Sequence, residues 1–146
     1  MITASRGFFQ GNLAVTGLLC DTVAGWVKEL DPEVFFDLYA GVGTFTLLAA
    51  QGVPRAVCVE ENLAALEALR MNAAERGLKN IRVIQGMAEK VFPAEWAKKS
   101  ARSALVCLDP PRQGLERELA EFLGRTEEVS AILYISCDPA TLARLT

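Results

Sequence analysis

The sequence predicts an α/β fold with a doubly wound, mainly parallel sheet, on three observations. Short apolar runs rich in β-branched residues recur at Val34–Leu38, Ala56–Val59, Ile81–Ile84, Ala104–Leu108 and Ala131–Ile135. Segments with helical spacing separate them, and near-continuous apolar runs of this length are typical of strands buried on both faces. The first run feeds a glycine turn, Gly41-Val42-Gly43, that opens another helical segment.

A helix is predicted before the first strand, over Leu13 to Leu30. Leu18, Leu19, Thr22, Val23, Trp26, Val27 and Leu30 fall on one face, and Asp31-Pro32 stops it. After the second strand, Asn62 caps a run of Leu63, Leu66, Leu69 and Ala73 that Gly77 ends. The stretch Ala88 to Arg102 shows no clear period. Its Lys98-Lys99-Ser100-Ala101-Arg102 cluster, beside Trp96, reads as a solvated turn rather than an RNA-binding patch. After the fifth strand, Asp138 and Pro139 read as the N-cap and first position of a new helix.

The 146 residues fit one domain, and 51% hydrophobic against 23% charged residues excludes a disordered chain. No apolar run approaches the ~20 residues of a membrane span. The N-terminus lacks the basic stretch and apolar core of a secretory signal, so the cytoplasm is the expected compartment. A net charge of −3 does not itself call for nucleic acid, so an RNA partner would be held mostly by parts outside this chain. The absence of histidine and of any Cys-x-x-Cys pair removes the usual zinc sites and every Ser-His or Cys-His mechanism. A last strand this apolar would normally be covered or paired on its far edge, so the chain reads as a fragment of a longer protein.

The glycine turn carries the first functional signal. A dinucleotide fingerprint would place a third glycine at position 46, where the chain has Thr46, so the turn suits a ligand without phosphates. Glu60 ends the second strand 23 residues after Asp37, where nucleoside-binding α/β folds place the acid that meets a ribose diol. Together these features fit S-adenosylmethionine. The alternative is a tight turn with no ligand. Glu61 is either a second ligand contact or a helix-start charge, and the latter is the preferred reading.

Two loops carry the rest. Asp109-Pro110-Pro111-Arg112 follows the fourth strand, and two prolines stiffen the backbone that presents Asp109. The alternative for Asp109 is mere capping, and Arg112 is either a surface charge or a contact to substrate phosphate. The fifth strand delivers Cys137 to the carboxyl edge in front of a helix start, where a thiol is biased toward thiolate. Cys20, Cys58 and Cys107 lie within apolar patterns and read as core residues.

These residues together resemble the RNA 5-methyluridine (uracil-5-) methyltransferases. The resemblance rests on Phe8-Phe9-Gln10-x-Asn12, Asp37-Leu38-Tyr39-x-Gly41-x-Gly43-Thr44-Phe45-Thr46, Val59-Glu60, Asn72-Ala73, Asp109-Pro110-Pro111-Arg112-x-Gly114 and Tyr134-Ile135-Ser136-Cys137-Asp138-Pro139-Ala140-Thr141. The chain has Ala40 and Asp138 where the family commonly has Cys and Asn. The resemblance implies a Rossmann-like, class I S-adenosylmethionine-dependent fold lacking its last strands, in which Gln10, Tyr39, Gly41, Thr44, Glu60 and Asp109 line the cofactor pocket with Met87 near the adenine. It implies Cys137 as the nucleophile that adds to carbon 6 of uracil in ribosomal or transfer RNA. The base that completes the reaction would be a glutamate beyond Thr146, so the isolated chain is expected to be inactive. Two alternatives stay open: an amino-group methyltransferase using the Asp-Pro-Pro loop, and a non-catalytic domain that only binds the cofactor.

Overall fold

The structure, a computed structural model, describes residues 13–99 and 101–136. Five parallel strands, β1 (Val34–Leu38), β2 (Arg55–Glu60), β3 (Ile81–Gln85), β4 (Ala104–Leu108) and β5 (Val129–Tyr134), lie in the order β3-β2-β1-β4-β5. The order reverses direction between β1 and β4, and ligands of open α/β sheets bind at that crossing, outside the carboxyl ends of the strands. Five helices connect the strands: α1 (Leu13–Leu30), α2 (Thr44–Ala49), α3 (Leu63–Glu75), α4 (Ala88–Lys98) and α5 (Arg117–Arg125).

Strand alternation divides the core in two. Val34, Phe36 and Leu38 of β1 face α4 and α5, where Phe36, Phe92, Trp96 and Phe122 form a chain of ring contacts with centroids 5.2–5.8 Å apart. Phe35 faces the opposite layer with Val23 and Val27 of α1 and Phe45 and Ala49 of α2. Helix α3 packs beside α2, and the predicted caps account for its ends. The Asn62 side chain accepts from the Ala65 N–H at 3.0 Å, and Gly77, at φ +65°, lets the Leu78 N–H reach the Ala73 carbonyl at 3.0 Å.

Three sequence expectations change. The unassigned stretch after β3 is helical from Ala88 to Lys98 and contains Pro93, whose missing donor leaves the Glu89 carbonyl near the helix start without its usual partner. The basic cluster is not a simple solvated turn, because the Lys99 side chain is 6% exposed. Its Nζ sits 2.7 Å from Glu128 Oε2 and 4.2 Å from the centroid of Trp96. That latch lies just before β4, at the amino edge of the sheet. Strand β5 begins at Val129, two residues earlier than expected, with a register irregularity opposite Ala104 and Leu105. Cys58 and Cys107 are buried as expected, whereas Cys20 is half-buried on α1.

One polar pair is embedded in this core. Asp37 of β1 and Thr46 of α2 are both fully buried, and the Thr46 hydroxyl donates to Asp37 Oδ2 at 2.6 Å. This link ties the strand before the glycine turn to the helix after it, which gives Thr46 a reason to stand where a dinucleotide fold has glycine. Asp37 Oδ1 has no hydrogen-bond partner among the described residues. Burial pushes the Asp37 carboxyl up to about 7, against the lowering effect of the Thr46 hydroxyl and with smaller upward contributions from Asp109 and Glu60. The strand register sets Cys58 and Cys107 on either side of Asp37. Burial, followed by the Asp37 charge, pushes the Cys58 thiol up to about 12, and Cys107 is raised for the same reasons, so both stay protonated.

Two outcomes are expected. Thr46→Val keeps the shape but strands a buried carboxylate oxygen, and chemical denaturation should show a loss of about 1–3 kcal/mol. A carboxyl near 7 when folded and ~3.9 when unfolded holds more protons in the folded state, so its contribution to stability is complete below pH ~4 and is lost as pH rises toward 7. Denaturation midpoints between pH 4.5 and 7.5, estimated to bracket most of that window, should fall less in Asp37→Asn than in the unsubstituted protein; parallel curves would contradict the assignment.

Candidate functional site

The carboxyl ends of β1, β2, β3 and β4 converge on a cleft of about 350 Å³, within the roughly 300–1,000 Å³ usual for small-molecule sites. Tyr39, Val59, Glu60, Met87 and Asp109 are among its lining residues. The fold positions each by the same device, a strand that ends and hands its next residue to the edge. Tyr39 follows β1, Glu60 ends β2, Met87 precedes α4 and Asp109 follows β4.

The glycine turn is held by hydrogen bonds to the end of β2. The Ala40 N–H donates to the Val59 carbonyl at 3.0 Å and the Gly41 N–H to Glu60 Oε2 at 2.8 Å. Tyr39 is fixed at φ +66°, a left-handed conformation costly for an aromatic residue, with its ring beside the cleft. Burial, then the nearby Glu89, Glu116 and Glu61 carboxylates, raises the Tyr39 phenol above its usual range, so it remains a neutral donor. Gly43, at φ +85°, packs so close to Leu69 that a Cβ would stand 2.6 Å from that side chain. Only glycine lets α2 start there against α3.

Glu60 does more than the sequence indicated. Its Oε2 accepts from Gly41 and its Oε1 accepts from the Asn62 N–H at 2.9 Å, so one carboxylate joins the turn after β1 to the start of α3. Each oxygen has a second acceptor lone pair, and Glu60 lines the cleft, so two further hydroxyl donors can be taken there. A ribose diol offers two such donors. Glu61 also lines the cleft and is exposed one residue ahead of the cap, so it is not simply a helix-start charge.

Asp109 presents a carboxylate that lacks a hydrogen-bond donor or counter-ion among the described residues, and burial raises it to about 6. The loop after it turns through Pro111 and Gly114, whose N–H donates to the Pro111 carbonyl at 2.8 Å. Arg112 stands exposed at the tip of that turn, outside the cleft lining. Thr44 and Gly41 do not line the cleft: Thr44 opens α2, and the Gly41 N–H is committed to Glu60. Gln10 and Cys137 lie outside the described residues. The chain leading to Cys137 is described as far as Ser136, and the Ile135 N–H donates to the Leu108 carbonyl at 2.7 Å, beside the start of the Asp109 loop. Two lining residues that the sequence did not single out are Glu89, in the first turn of α4, and Glu116, ahead of α5. Among the described residues no group of histidine, cysteine, aspartate and glutamate is arranged to hold a metal ion, and no helix is long and apolar enough to cross a membrane.

The comparisons with known proteins agree with this layout. A family model described as tRNA (Uracil-5-)-methyltransferase matches residues 3–145. An Uncharacterized RNA methyltransferase of Clostridium tetani is 36% identical over 137 residues, covering 94% of this chain and 29% of the relative. The 23S rRNA (uracil(747)-C(5))-methyltransferase RlmC of Halothiobacillus neapolitanus is 35% identical over 140 residues, covering 95% of this chain and 36% of the relative. The chain therefore spans about a third of the length of these curated relatives. The crystal structure of the Pyrococcus abyssi tRNA (uracil-54, C5)-methyltransferase, in complex with S-adenosyl-L-homocysteine, superposes with a TM-score of 0.75 at 29% identity, over 95% of this chain and 32% of that one. The structure of yhhF from Escherichia coli, at 24% identity and a TM-score of 0.66, shares the fold. With a match over nearly its whole length, an α/β sheet of the methyltransferase type and a cleft at the carboxyl edge, the chain belongs to the tRNA (uracil-5-)-methyltransferase family.

Proposed function

We propose that this chain binds S-adenosylmethionine in the carboxyl-edge cleft and serves the methylation of carbon 5 of a uridine in ribosomal or transfer RNA. The meeting of Tyr39, Glu60, Met87 and Asp109 around one cleft carries the reading, because four separate strand ends supply it. The residues fit the ligand: Glu60 has acceptors left for a ribose diol, Met87 and Val59 offer apolar surface to a base, and the uncompensated Asp109 suits a ligand with positive charge. Gly41 acts by positioning, since its N–H holds Glu60 in place, and Thr44 acts by opening α2 behind the turn. Gln10, by family resemblance, is assigned to the same pocket.

S-adenosylmethionine supplies a methyl group carried on a sulfonium. The protein must then make carbon 5 of uracil nucleophilic, and Cys137 is the residue proposed for this. Its thiolate adds to carbon 6, the carbon 5–carbon 6 double bond becomes an enolate, and carbon 5 takes the methyl group. Loss of the carbon 5 proton to a base then expels the thiolate and restores the double bond; the family resemblance assigns that base to a glutamate. The raised thiols of Cys58 and Cys107 exclude both as alternatives among the described residues, because each is buried and held protonated beside Asp37. Arg112, at the exposed tip of its turn, is proposed to meet an RNA phosphate.

Titration calorimetry is expected to show one S-adenosylmethionine per chain, with Glu60→Gln weakening binding by at least tenfold, about 1.4 kcal/mol, while the circular dichroism spectrum stays unchanged. Full-strength binding by the folded variant would remove Glu60 from the site. Incubation of the protein with RNA containing 5-fluorouridine is expected to leave a protein–RNA complex that survives SDS, because fluorine at carbon 5 blocks the final elimination. Cys137→Ala should abolish it, and an adduct that persists in this variant would overturn the covalent route.

A further inference from the structure

The charge around the cleft has one sign. Glu60, Glu61, Glu89, Asp109 and Glu116 all line it, and its lining includes neither lysine nor arginine. Arg112, on the loop that follows Asp109, lies outside the lining. This negative charge lacks a counter-ion within the described fold: Asp109 has no side-chain hydrogen-bond donor or cation among the described residues, and none of the four glutamates that line the cleft with it forms an ion pair there. Glu60 also spends one acceptor site of each oxygen on backbone N–H groups, which fixes its carboxylate against turning away.

We propose that Glu89 and Glu116 are specificity-determining residues that make the cleft select its ligand by charge, holding the sulfonium cofactor and releasing the neutral sulfide formed from it. The inference rests on the reading that S-adenosylmethionine occupies this cleft. Methyl transfer removes one positive charge from the cofactor: the sulfur–methyl bond breaks, its electron pair stays on sulfur, and the sulfonium becomes a thioether. A cleft of uncompensated carboxylates therefore loses a favourable interaction at the moment of transfer. Glu89 and Glu116 suit this role because both are positioned by helix starts at the cleft, and neither makes a side-chain hydrogen bond or ion pair among the described residues. Both carboxylates also act on the Tyr39 phenol, which lines the same cleft. The same field disfavours entry of RNA phosphates into the cofactor cleft, which leaves the exposed Arg112 side for the nucleic acid.

The test is calorimetry with three ligands at low and high salt: S-adenosylmethionine, S-adenosylhomocysteine, and the analogue in which a protonated amine replaces the sulfonium. In the unsubstituted protein both cations are expected to bind about tenfold more tightly than the neutral sulfide at low salt, the scale given by a local potential of a few kT. The preference should shrink to about twofold in Glu89→Gln/Glu116→Gln and in high salt, with affinity for the sulfide nearly unchanged. Equal affinity for cation and sulfide in the unsubstituted protein, or a preference that the double substitution leaves intact, would overturn the inference while leaving the cofactor reading standing. Failure of all three ligands to bind would overturn both.

Discussion

The Glu60 carboxylate is the constraint on which the site depends. Parallel strands end with backbone groups that have no further neighbour, and here one side chain collects two of them, from Gly41 and Asn62. That fixes the turn after β1 against the start of α3, and with it the left-handed conformation of Tyr39. Charge-assisted bonds to backbone N–H groups are shorter and stronger than neutral ones, so a single acid can hold a costly turn in place. The same acid faces the cleft, so the arrangement that shapes the turn also presents the acceptors a nucleoside needs.

A second layer supports the first from below. Asp37 and Thr46 link β1 to α2 across the glycine turn, and the Gly43–Leu69 approach brings α2 against α3. Both lie beneath the cleft and neither is among its lining residues. Their cost is a buried carboxyl, and the fold tolerates it because the carboxyl is raised enough to carry a proton over much of the neutral range. The site thus stands on a polar pair that favours mildly acidic conditions for stability. The reaction proposed for Cys137 instead needs a thiolate, which higher pH favours.

Much of the fold was legible in the sequence because its signals were local. Val34–Leu38 and Ala104–Leu108 are fully buried strands and read as unbroken apolar runs, and α3 carries its own cap and stop in Asn62 and Gly77. Glu60 and Asp109 were identifiable because strand ends in such sheets deliver residues to one edge. Helix α4 was not, since Pro93 and the Lys98-Lys99 pair disrupt the local pattern while the ring contacts of Phe92 and Trp96 with Phe36 hold the helix from outside. Nor were the Thr46–Asp37 bond, the second role of Glu60 or the approach of Glu89 and Glu116, because each pairs residues that only the folded chain brings together. Ordinary surface acids in sequence, Glu89 and Glu116 acquire meaning from the wall they stand on.

Whether the carboxyl-edge cleft holds the nucleoside cofactor is decided by a crystal structure of this chain grown with S-adenosylhomocysteine. Both ribose hydroxyls are expected within hydrogen-bond distance of Glu60, with the adenine against Met87. A ligand bound elsewhere, or ribose hydroxyls turned away from a Glu60 that still holds Gly41 and Asn62, would contradict this placement.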